Sequence, residues 1–278
     1  MFSKIRALLS DSRHSFGPLV LAAALVAAAS PAMARPGDGE FRIPPATAQK
    51  IGHRIWQNEC AGTVSGLTSW NKGEAFASLG IGHFIWYPAG GRRTYEESFP
   101  ALADFLARRG AAVPRWALSK DCPWPDRASF TASANTPKMR ELRGLLASTI
   151  ALQGEFAARR SVRSLPKILN AAPRGSRALI EGRFRALADT PAGLYCLMDY
   201  VNFKGEGTNP AERYQGVGWG LLQVLENMRG TPGPAQAPAE FAAAARRTLD
   251  RRIQLAPKNE SQWRAGWFSR CAGYARGL

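Results

Sequence analysis

The chain has 278 residues, 45% of them hydrophobic and 21% charged, a composition that suits one or two globular domains and excludes a low-complexity protein. Lysine and arginine outnumber aspartate and glutamate by 37 to 21, so the net charge is +16. So basic a chain is expected to meet an anionic partner. Because it carries no DNA-binding or RNA-binding motif, we expect no nucleic acid among its partners.

Residues 1–34 have the pattern of a secretory signal peptide. Lys4, Arg6 and Arg13 precede the apolar run PLVLAAALVAAA, and a small-residue triplet ends at Ala34. This pattern predicts cleavage near Ala34 and a periplasmic or secreted protein, whose net charge falls to +14 with the loss of three basic residues and one acidic residue. No other stretch approaches about 20 apolar residues, so we expect no integral membrane segment in the mature chain.

The next segment, 35–46, is polar and contains proline and glycine, which is typical of a linker. We predict a single domain over 47–278. Its first helix covers TAQKIGHRIWQNEC, with Thr47 as a candidate N-cap and Glu59 near the C-terminal end.

Residues 61–88 are rich in glycine, serine, threonine and aromatics, with NKG between two strand-like runs, which predicts a small β-hairpin. From Tyr95 to Arg160 the apolar spacing is helical, apart from a proline-rich break at CPWPDR. Later helices are predicted at SRALIEGRFRALAD, GLYCLMDYVNF, GWGLLQVLENM, PAEFAAAARRTLDRRIQL and SQWRAGWFSRCAGYARGL. The predicted fold is therefore mainly α, with one small sheet.

The chain contains four cysteines, Cys60, Cys122, Cys196 and Cys271. After export they would meet an oxidising compartment, so we expect one or two disulfides, whose pairing the sequence cannot rank. Buried free thiols are the alternative, because cysteine is among the residues most often buried. No cysteine or histidine cluster indicates a metal, and no cofactor is expected.

A helix that ends in glutamate, then a hairpin, then a helical bundle resembles the phage-type lysozymes, the muramidases of glycoside hydrolase family twenty-four. Glu59 stands at the family's catalytic glutamate, Ser78 stands at its threonine, and GIGH, ending at His83, reproduces its turn. The segments LMDYVNFKGEG, GLLQVL and GWFSRCAGYARGL resemble its later helices. The resemblance implies a lysozyme-like α+β domain with a hairpin beside the active-site cleft, and a long helical insertion around 95–190.

Two features depart from that family. Its hairpin aspartate is missing, because Lys72 takes that place, with Glu74 close by. In addition, GEGTNPAERYQGVGWGLLQ resembles the signature of lytic transglycosylases, in which Glu206 would be the acid. Both families share the lysozyme-like fold, so the two resemblances imply the same substrate class and different catalytic residues.

Cleavage of a glycosidic bond needs a carboxylic acid that stays protonated near neutral pH, which burial against apolar groups supplies. We expect Glu59 to be this acid, on an apolar helix beside an aromatic-rich hairpin. Glu74 is a candidate to assist an attacking water, and Ser78 replaces the family's threonine. Glu206 is a second carboxylate, a transglycosylase acid, or the partner of Arg213 in a structural ion pair.

The residues expected to contact the glycan are Trp70, Gly80, Gly82, His83, Trp86, Tyr87, Asn209, Arg213 and Gln223. Exposed aromatic rings stack on sugar faces, and glycines let the backbone approach a sugar closely. His83 is expected to fix the turn by hydrogen bonding rather than to act as a base. A pairing of Cys60 with His83, as in exported wall peptidases, is a weaker hypothesis because no residue is evident that would orient the histidine.

The expected function is an exported muramidase-type enzyme that cleaves peptidoglycan glycan strands with Glu59 as general acid. Lytic transglycosylation through Glu206 or Glu59 is the first alternative. The second is an inactive protein that binds the cell wall through a lysozyme-like groove, because the hairpin aspartate is missing. Each version has peptidoglycan or another anionic wall polymer as its partner, and the oligomeric state is left open.

Overall fold

Eleven α-helices and two small antiparallel sheets make up the part of the chain that the structure, a computed structural model, describes: residues 43–91 and 93–278. The helices are α1 (Pro45–Cys60), α2 (Phe99–Arg108), α3 (Arg127–Ala132), α4 (Pro137–Ser148), α5 (Ile150–Arg163), α6 (Leu165–Ala171), α7 (Arg177–Ala188), α8 (Pro191–Lys204), α9 (Leu221–Asn227), α10 (Ala237–Leu255) and α11 (Arg264–Ala275). The strands are β1 (Thr68–Ser69), β2 (Ala77–Leu79), β3 (Phe84–Trp86), β4 (Arg213–Tyr214) and β5 (Val217–Gly218). The predicted mainly helical fold is confirmed, whereas the predicted signal peptide lies outside the described residues.

Helix α1 begins two residues before Thr47, because Pro45 occupies its first turn, where the fixed φ of proline favours a helix. The last two residues of the predicted linker, 35–46, therefore belong to this helix. The helix ends where Ala61 adopts a left-handed conformation with φ of 52° and its N–H donates to the Trp56 carbonyl. Glu59 is the penultimate residue, as the sequence predicts.

The predicted hairpin is part of a three-stranded antiparallel sheet with the order β1-β2-β3. The segment NKG connects β1 to β2, and Ser69 lies opposite Ser78. The GIGH segment connects β2 to β3, where Leu79 lies opposite Phe84. The segment therefore turns the chain into a third strand, which the predicted two-stranded hairpin did not include.

The helix predicted over PKMRELRGLLASTIALQGEFAARR is interrupted at Thr149, which separates α4 from α5. The Thr149 hydroxyl donates to the Leu145 carbonyl at 2.7 Å, a local bond that competes with the helical ladder. The later predicted helices correspond to α7 through α11. Helices α3 and α6 and the β4–β5 hairpin were not predicted, because they are too short to show a clear periodicity.

Helices α1 and α5 cross closely through two glycines. A β-carbon at Gly52 would lie 2.6 Å from the Ile150 carbonyl oxygen, and one at Gly154 would lie 2.7 Å from the Ala48 carbonyl oxygen. Helix α8 is central, since every residue from Gly193 to Tyr200 is buried. No described helix combines the length and apolar character that crossing a membrane requires.

Candidate active site

Glu59 lies at the end of α1, on a helix whose buried side chains include Ile51 and Ile55. These side chains hold α1 on the core, and its last turn brings the Glu59 carboxylate to the core's edge, where its side chain is 14% exposed. Arg270 of α11 pairs with this carboxylate, its Nη2 donating to Glu59 Oε1. The first and last helices of the described chain therefore meet at Glu59.

Arg270 has a second partner, Asp199 of α8, which is fully buried. The guanidinium binds Asp199 in bidentate fashion, with Nε to Oδ2 at 2.8 Å and Nη2 to Oδ1 at 2.9 Å. Tyr274 Oη donates to Oδ2 at 2.7 Å, and Asn58 Nδ2 donates to Oδ1 at 3.2 Å. These donors satisfy the Asp199 carboxylate, as a buried charge requires.

Arg270 stays charged and the Tyr274 hydroxyl stays protonated in this network at neutral pH. Burial lowers the pKa of Arg270, but the hydrogen bonds and charge of Asp199, together with the charge of Glu59, outweigh burial and raise it overall. Burial, and then the charge of Asp199, raise the pKa of Tyr274 well above its usual range, so its hydroxyl remains a donor. The network is thus one guanidinium shared by two carboxylates.

The turn between β2 and β3 is fixed by Gln153 of α5, which is fully buried. The Ile81 N–H donates to Gln153 Oε1 at 3.0 Å, and Gln153 Nε2 donates to the Leu146 carbonyl at 2.7 Å. Gly80 has φ of 68°, and a β-carbon there would lie 2.3 Å from Gln153 Oε1, so only glycine fits. The Cys60 thiol lies 3.8 Å from the Gly80 carbonyl, which places the turn against the end of α1.

Gly82 and His83 line a cavity of about 540 Å³ that also has Glu206, Asn202 and Lys167 in its wall. The sequence-predicted residues Gly82, His83 and Glu206 are thus brought together, whereas Glu59 does not line this cavity. The His83 ring forms no hydrogen bond with any described residue. The expectation that His83 fixes the turn is therefore not met, because Gln153 has that role.

Glu206 follows the end of α8 and pairs with Lys167 Nζ at 2.5 Å. The ion pair with Arg213 considered from the sequence is not formed, because Arg213 donates to the Gly216 carbonyl at 3.2 Å instead. The Glu206 side chain is 22% exposed and that of Lys167 is 59% exposed. This pair is therefore open to water on the lysine side.

The other residues taken from the transglycosylase resemblance have structural contacts. Gln223 is buried, accepts from the Gly220 N–H at 3.1 Å and donates to the Gly207 carbonyl at 3.2 Å. The Asn209 side chain accepts from the Ala211 N–H at 3.0 Å, as in an Asx turn. Gln223 holds the loop that carries Glu206, and Asn209 and Arg213 are exposed.

The aromatic rings expected to stack on sugars are buried: Trp70 is 7% exposed, and Trp86 and Tyr87 are fully buried. Their polar atoms are satisfied inside the protein, since Trp70 Nε1 donates to the Glu74 carbonyl at 2.9 Å and Trp86 Nε1 donates to the Lys120 carbonyl at 3.1 Å. The expected stacking does not fit this burial. The rings belong to the core beneath the sheet.

Two hairpin residues have different surroundings from those expected. Ser78 is buried in the central strand β2, 4% exposed, between the neighbouring strands. Glu74 is partly buried, and its Oε2 has no hydrogen-bond partner among the described residues. Glu74 is thus a carboxylate with one buried oxygen that no described residue hydrogen-bonds, rather than a solvated surface group.

All four cysteines are buried free thiols, so the structure does not contain the expected disulfides. Burial, and then the charge of Glu59, raise the pKa of Cys60 to about 12. A thiol that stays protonated is a poor nucleophile, which removes support for the Cys60–His83 pairing. Within the described residues, no three His, Cys, Asp or Glu side chains group as a metal site.

Comparison with known proteins adds no assignment, because no family model, curated protein or solved structure matches the chain. The geometry above and the motifs in the sequence are therefore what indicate a function.

Three residues of the candidate site are missed by sequence analysis: Gln153, Asp199 and Arg270. Asp199 has a signal in the sequence, because it is a charge in the otherwise apolar helix segment GLYCLMDYVNF. An acidic residue among buried apolar residues indicates a buried partner. Gln153 and Arg270 have no such signal, since both residue types are common on helix surfaces.

Proposed function

We propose that the protein is an exported enzyme that cleaves the glycan strands of peptidoglycan, with Glu59 as its general acid. The observation that carries this proposal is the Glu59–Arg270–Asp199 network at the end of α1. A buried ion pair adds little net stability, because the loss of hydration offsets the attraction between the charges. A network that fixes one partly exposed carboxylate is therefore better explained as a way to hold the Glu59 carboxylate in one place than as a way to stabilise the fold.

The Glu59 carboxylate contacts a guanidinium rather than the apolar groups expected from the sequence, and Asp199 keeps that guanidinium paired when Glu59 carries a proton. Two carboxylates share one guanidinium, so protonation of Glu59 leaves a neutral Arg270–Asp199 pair behind it. In the proposed reaction, Glu59 gives its proton to the glycosidic oxygen as the bond from that oxygen to the sugar carbon breaks. Attack by water on this carbon yields a reducing end, whereas attack by a hydroxyl of the same sugar yields an anhydro end. In either case the attacking group gives up its proton, to the Glu59 carboxylate or to water.

The test is cleavage of purified peptidoglycan by the mature protein, with the product ends identified by mass spectrometry. We expect Glu59→Gln to lose cleavage by roughly 10²–10⁴-fold, because the amide keeps the shape of the acid and has no proton to donate. Glu181→Gln, which changes an exposed glutamate paired with Arg185, is the matched control and should cleave like the wild type. Full activity of Glu59→Gln would contradict the proposal.

A second candidate is a lytic transglycosylase with Glu206 as its acid. It is favoured by one observation, that Glu206 lines the same cavity as Gly82 and His83 of the β2–β3 turn. In that case Glu206→Gln would abolish cleavage, Glu59→Gln would retain it, and the wild-type products would carry anhydro ends.

The inactive wall-binding protein is distinguished in the same experiment. Its signature is a wild type that sediments with peptidoglycan sacculi and releases no fragment at any pH tested. Its binding should weaken with added salt, because the electrostatic screening length shortens from about 10 Å at 0.1 M to about 3 Å at 1 M.

A further inference from the structure

Arginines converge on a second pocket, of about 480 Å³, between the end of α2 and the last turns of α5. The five that line it are Arg108, Arg109, Arg159, Arg160 and Arg163. Two phenylalanines, Phe105 and Phe156, complete its wall. The pocket thus combines an apolar floor with a concentration of guanidinium groups.

Two of these arginines are held in place by a buried carboxylate, Glu155. Arg159 donates to Glu155 Oε1 through Nε at 3.2 Å and Nη2 at 2.9 Å, and Arg109 donates to the same oxygen. Their guanidinium carbons lie 5.3 Å and 5.0 Å from the centre of the Phe105 ring. Because these contacts fix both side chains, part of the entropy cost of ordering them around a ligand is already met.

The other three arginines are exposed and only weakly neutralised. Arg108 and Arg163 form no ion pair with a residue that the structure describes, and Arg160 lies 3.7 Å from Glu96, whose side chain is 73% exposed. Five guanidinium groups thus line the pocket and only two carboxylates pair with any of them, which leaves an excess of three positive charges. Helix C-termini favour nearby cations, which explains single arginines at each helix end but not five around one pocket.

We propose that this pocket binds a phosphate group, presented either by a soluble phosphate compound or by the headgroup of an anionic lipid. Guanidinium forks match phosphate oxygens in bidentate fashion, and a multiply charged anion suits an excess of three positive charges better than a single carboxylate does. The inference does not rest on the proposed cleavage of peptidoglycan.

The pocket adjoins the cavity that contains Glu206. Phe156, Arg160 and Arg163 line both, so a ligand whose phosphate occupies the pocket has room to extend toward Gly82 and His83. A phosphate-bearing partner bound here would therefore lie beside the candidate glycan-binding cavity.

The first test is calorimetric titration of the full chain with inorganic pyrophosphate at low salt, with the dicarboxylate succinate for comparison. We expect pyrophosphate to bind at least about tenfold more tightly than succinate, because its oxygens accept more charge-assisted hydrogen bonds. The Arg108→Ala/Arg163→Ala variant should bind pyrophosphate at least about tenfold more weakly than the wild type.

The matched control is Arg115→Ala/Arg174→Ala, which removes the same charge from two exposed arginines outside the pocket. It should bind pyrophosphate within about twofold of the wild type, since only distant, screened charges are lost. Equal weakening in the two double variants, equal affinity for succinate, or no binding by the wild type would overturn the proposal. Unchanged urea midpoints would show that both variants are folded.

Co-sedimentation with phosphatidylcholine vesicles, with and without phosphatidylglycerol, separates the two sources of phosphate. Retention on the anionic vesicles that is lost in the pocket variant and kept in the control variant assigns the site to a lipid headgroup. Pyrophosphate binding without vesicle retention assigns it to a soluble phosphate. Vesicle retention that is the same in both variants, without pyrophosphate binding, contradicts a phosphate site.

Discussion

The two candidate carboxylates, Glu59 and Glu206, each lie beside a loop that a buried glutamine holds in place. They differ in their ion-pair partners, because the partner of Glu59 is mostly buried and that of Glu206 is exposed. Gln153 fixes the glycine turn next to Glu59, and Gln223 fixes the glycine loop that carries Glu206. The partner of Glu59 is Arg270, 17% exposed and bound to the fully buried Asp199.

The partner of Glu206 is Lys167, whose side chain is 59% exposed. A lysine ammonium on a flexible stem changes partners easily, whereas an arginine bound in bidentate fashion keeps one position. The backbone of each loop is therefore held by one buried glutamine, and the difference between the sites lies in the side chains that pair with the carboxylates. Only at Glu59 does the fold determine where the carboxylate lies.

The largest effect is expected from removing Asp199. Asp199→Ala leaves Arg270 partly buried with Glu59 as its remaining charged partner, so unfolding free energy should fall by about 3–5 kcal/mol. Urea denaturation followed by circular dichroism measures it. Asp189→Ala, at an exposed aspartate after α7, should change stability by no more than about 0.5 kcal/mol. If Asp199→Ala and Asp189→Ala lowered stability equally, Asp199 would not be holding Arg270 in place. The Glu59–Arg270 pair would then be no more firmly fixed than the Glu206–Lys167 pair.

The two glycine loops should respond alike to an added methyl group. Gly80→Ala and Gly207→Ala each force a left-handed alanine and place a β-carbon 2.3 Å from the Oε1 of a buried glutamine. We expect each to lose about 2–3 kcal/mol, from the backbone conformation and the displaced hydrogen bond. The measurement is the shift in urea midpoint.

Gly90→Ala is the control for these variants, because Gly90 has φ of 69° with no atom within 4 Å of the added carbon. Its free energy of unfolding should fall by only about 1 kcal/mol, the cost of placing an alanine in a left-handed backbone conformation. A loss at Gly207 as small as that at Gly90 would show that the Glu206 loop is less firmly fixed than the β2–β3 turn.

The sequence predicts the helix and strands around the candidate site better than the side-chain contacts within it. Regular apolar spacing indicates α1, and the glycine-rich NKG and GIGH segments indicate the sheet that Glu59 adjoins. Arg270 and Asp199 lie far from Glu59 in the chain, so no local pattern connects them. Their meeting depends on how α8 and α11 pack against α1.

The buried aromatic residues illustrate a second limit of prediction from the sequence. Trp86 ends the short strand β3 and Tyr87 follows it, and aromatic residues in this position are typical both of a sugar platform and of a core. The structure places both in the core, where their side chains are fully buried. Residue type alone does not show which face of a strand is covered.

Lys204, the last residue of α8, lies close enough to Arg270, the partner of Glu59, for the charge of Arg270 to affect its pKa. Burial, and then the charges of Arg252 and Arg270, lower its pKa from 10.5 to about 7. Between pH 7 and about 10.5 the unfolded chain holds a proton that the folded chain has released, so stability should rise with pH over this window. We expect Lys204→Met to be more stable than the wild type at pH 7 by more than about 1 kcal/mol, since one pKa unit corresponds to about 1.4 kcal/mol.

This gain from Lys204→Met should narrow as pH approaches 10, where the unfolded lysine also loses its proton. Urea denaturation at several pH values measures the difference in unfolding free energy between the two proteins. Other groups titrate in the same way in both proteins, so their contributions cancel in this difference. A gain that stays constant from pH 7 to pH 10 would show that Lys204 remains charged in the folded protein, held by its contact 3.6 Å from the Trp267 ring centre.

The smallest effect is expected at the pair between Lys167 and Glu206. Because the Lys167 side chain is 59% exposed, its removal in Lys167→Ala should cost less than about 1 kcal/mol. A double-mutant cycle with Glu206→Ala, followed by urea denaturation, isolates the coupling between the two side chains. That coupling should decrease further in 1 M salt, where the screening length is about 3 Å. A coupling of 3 kcal/mol or more would make Glu206 as firmly held as Glu59 and would strengthen the case for Glu206 as the catalytic acid.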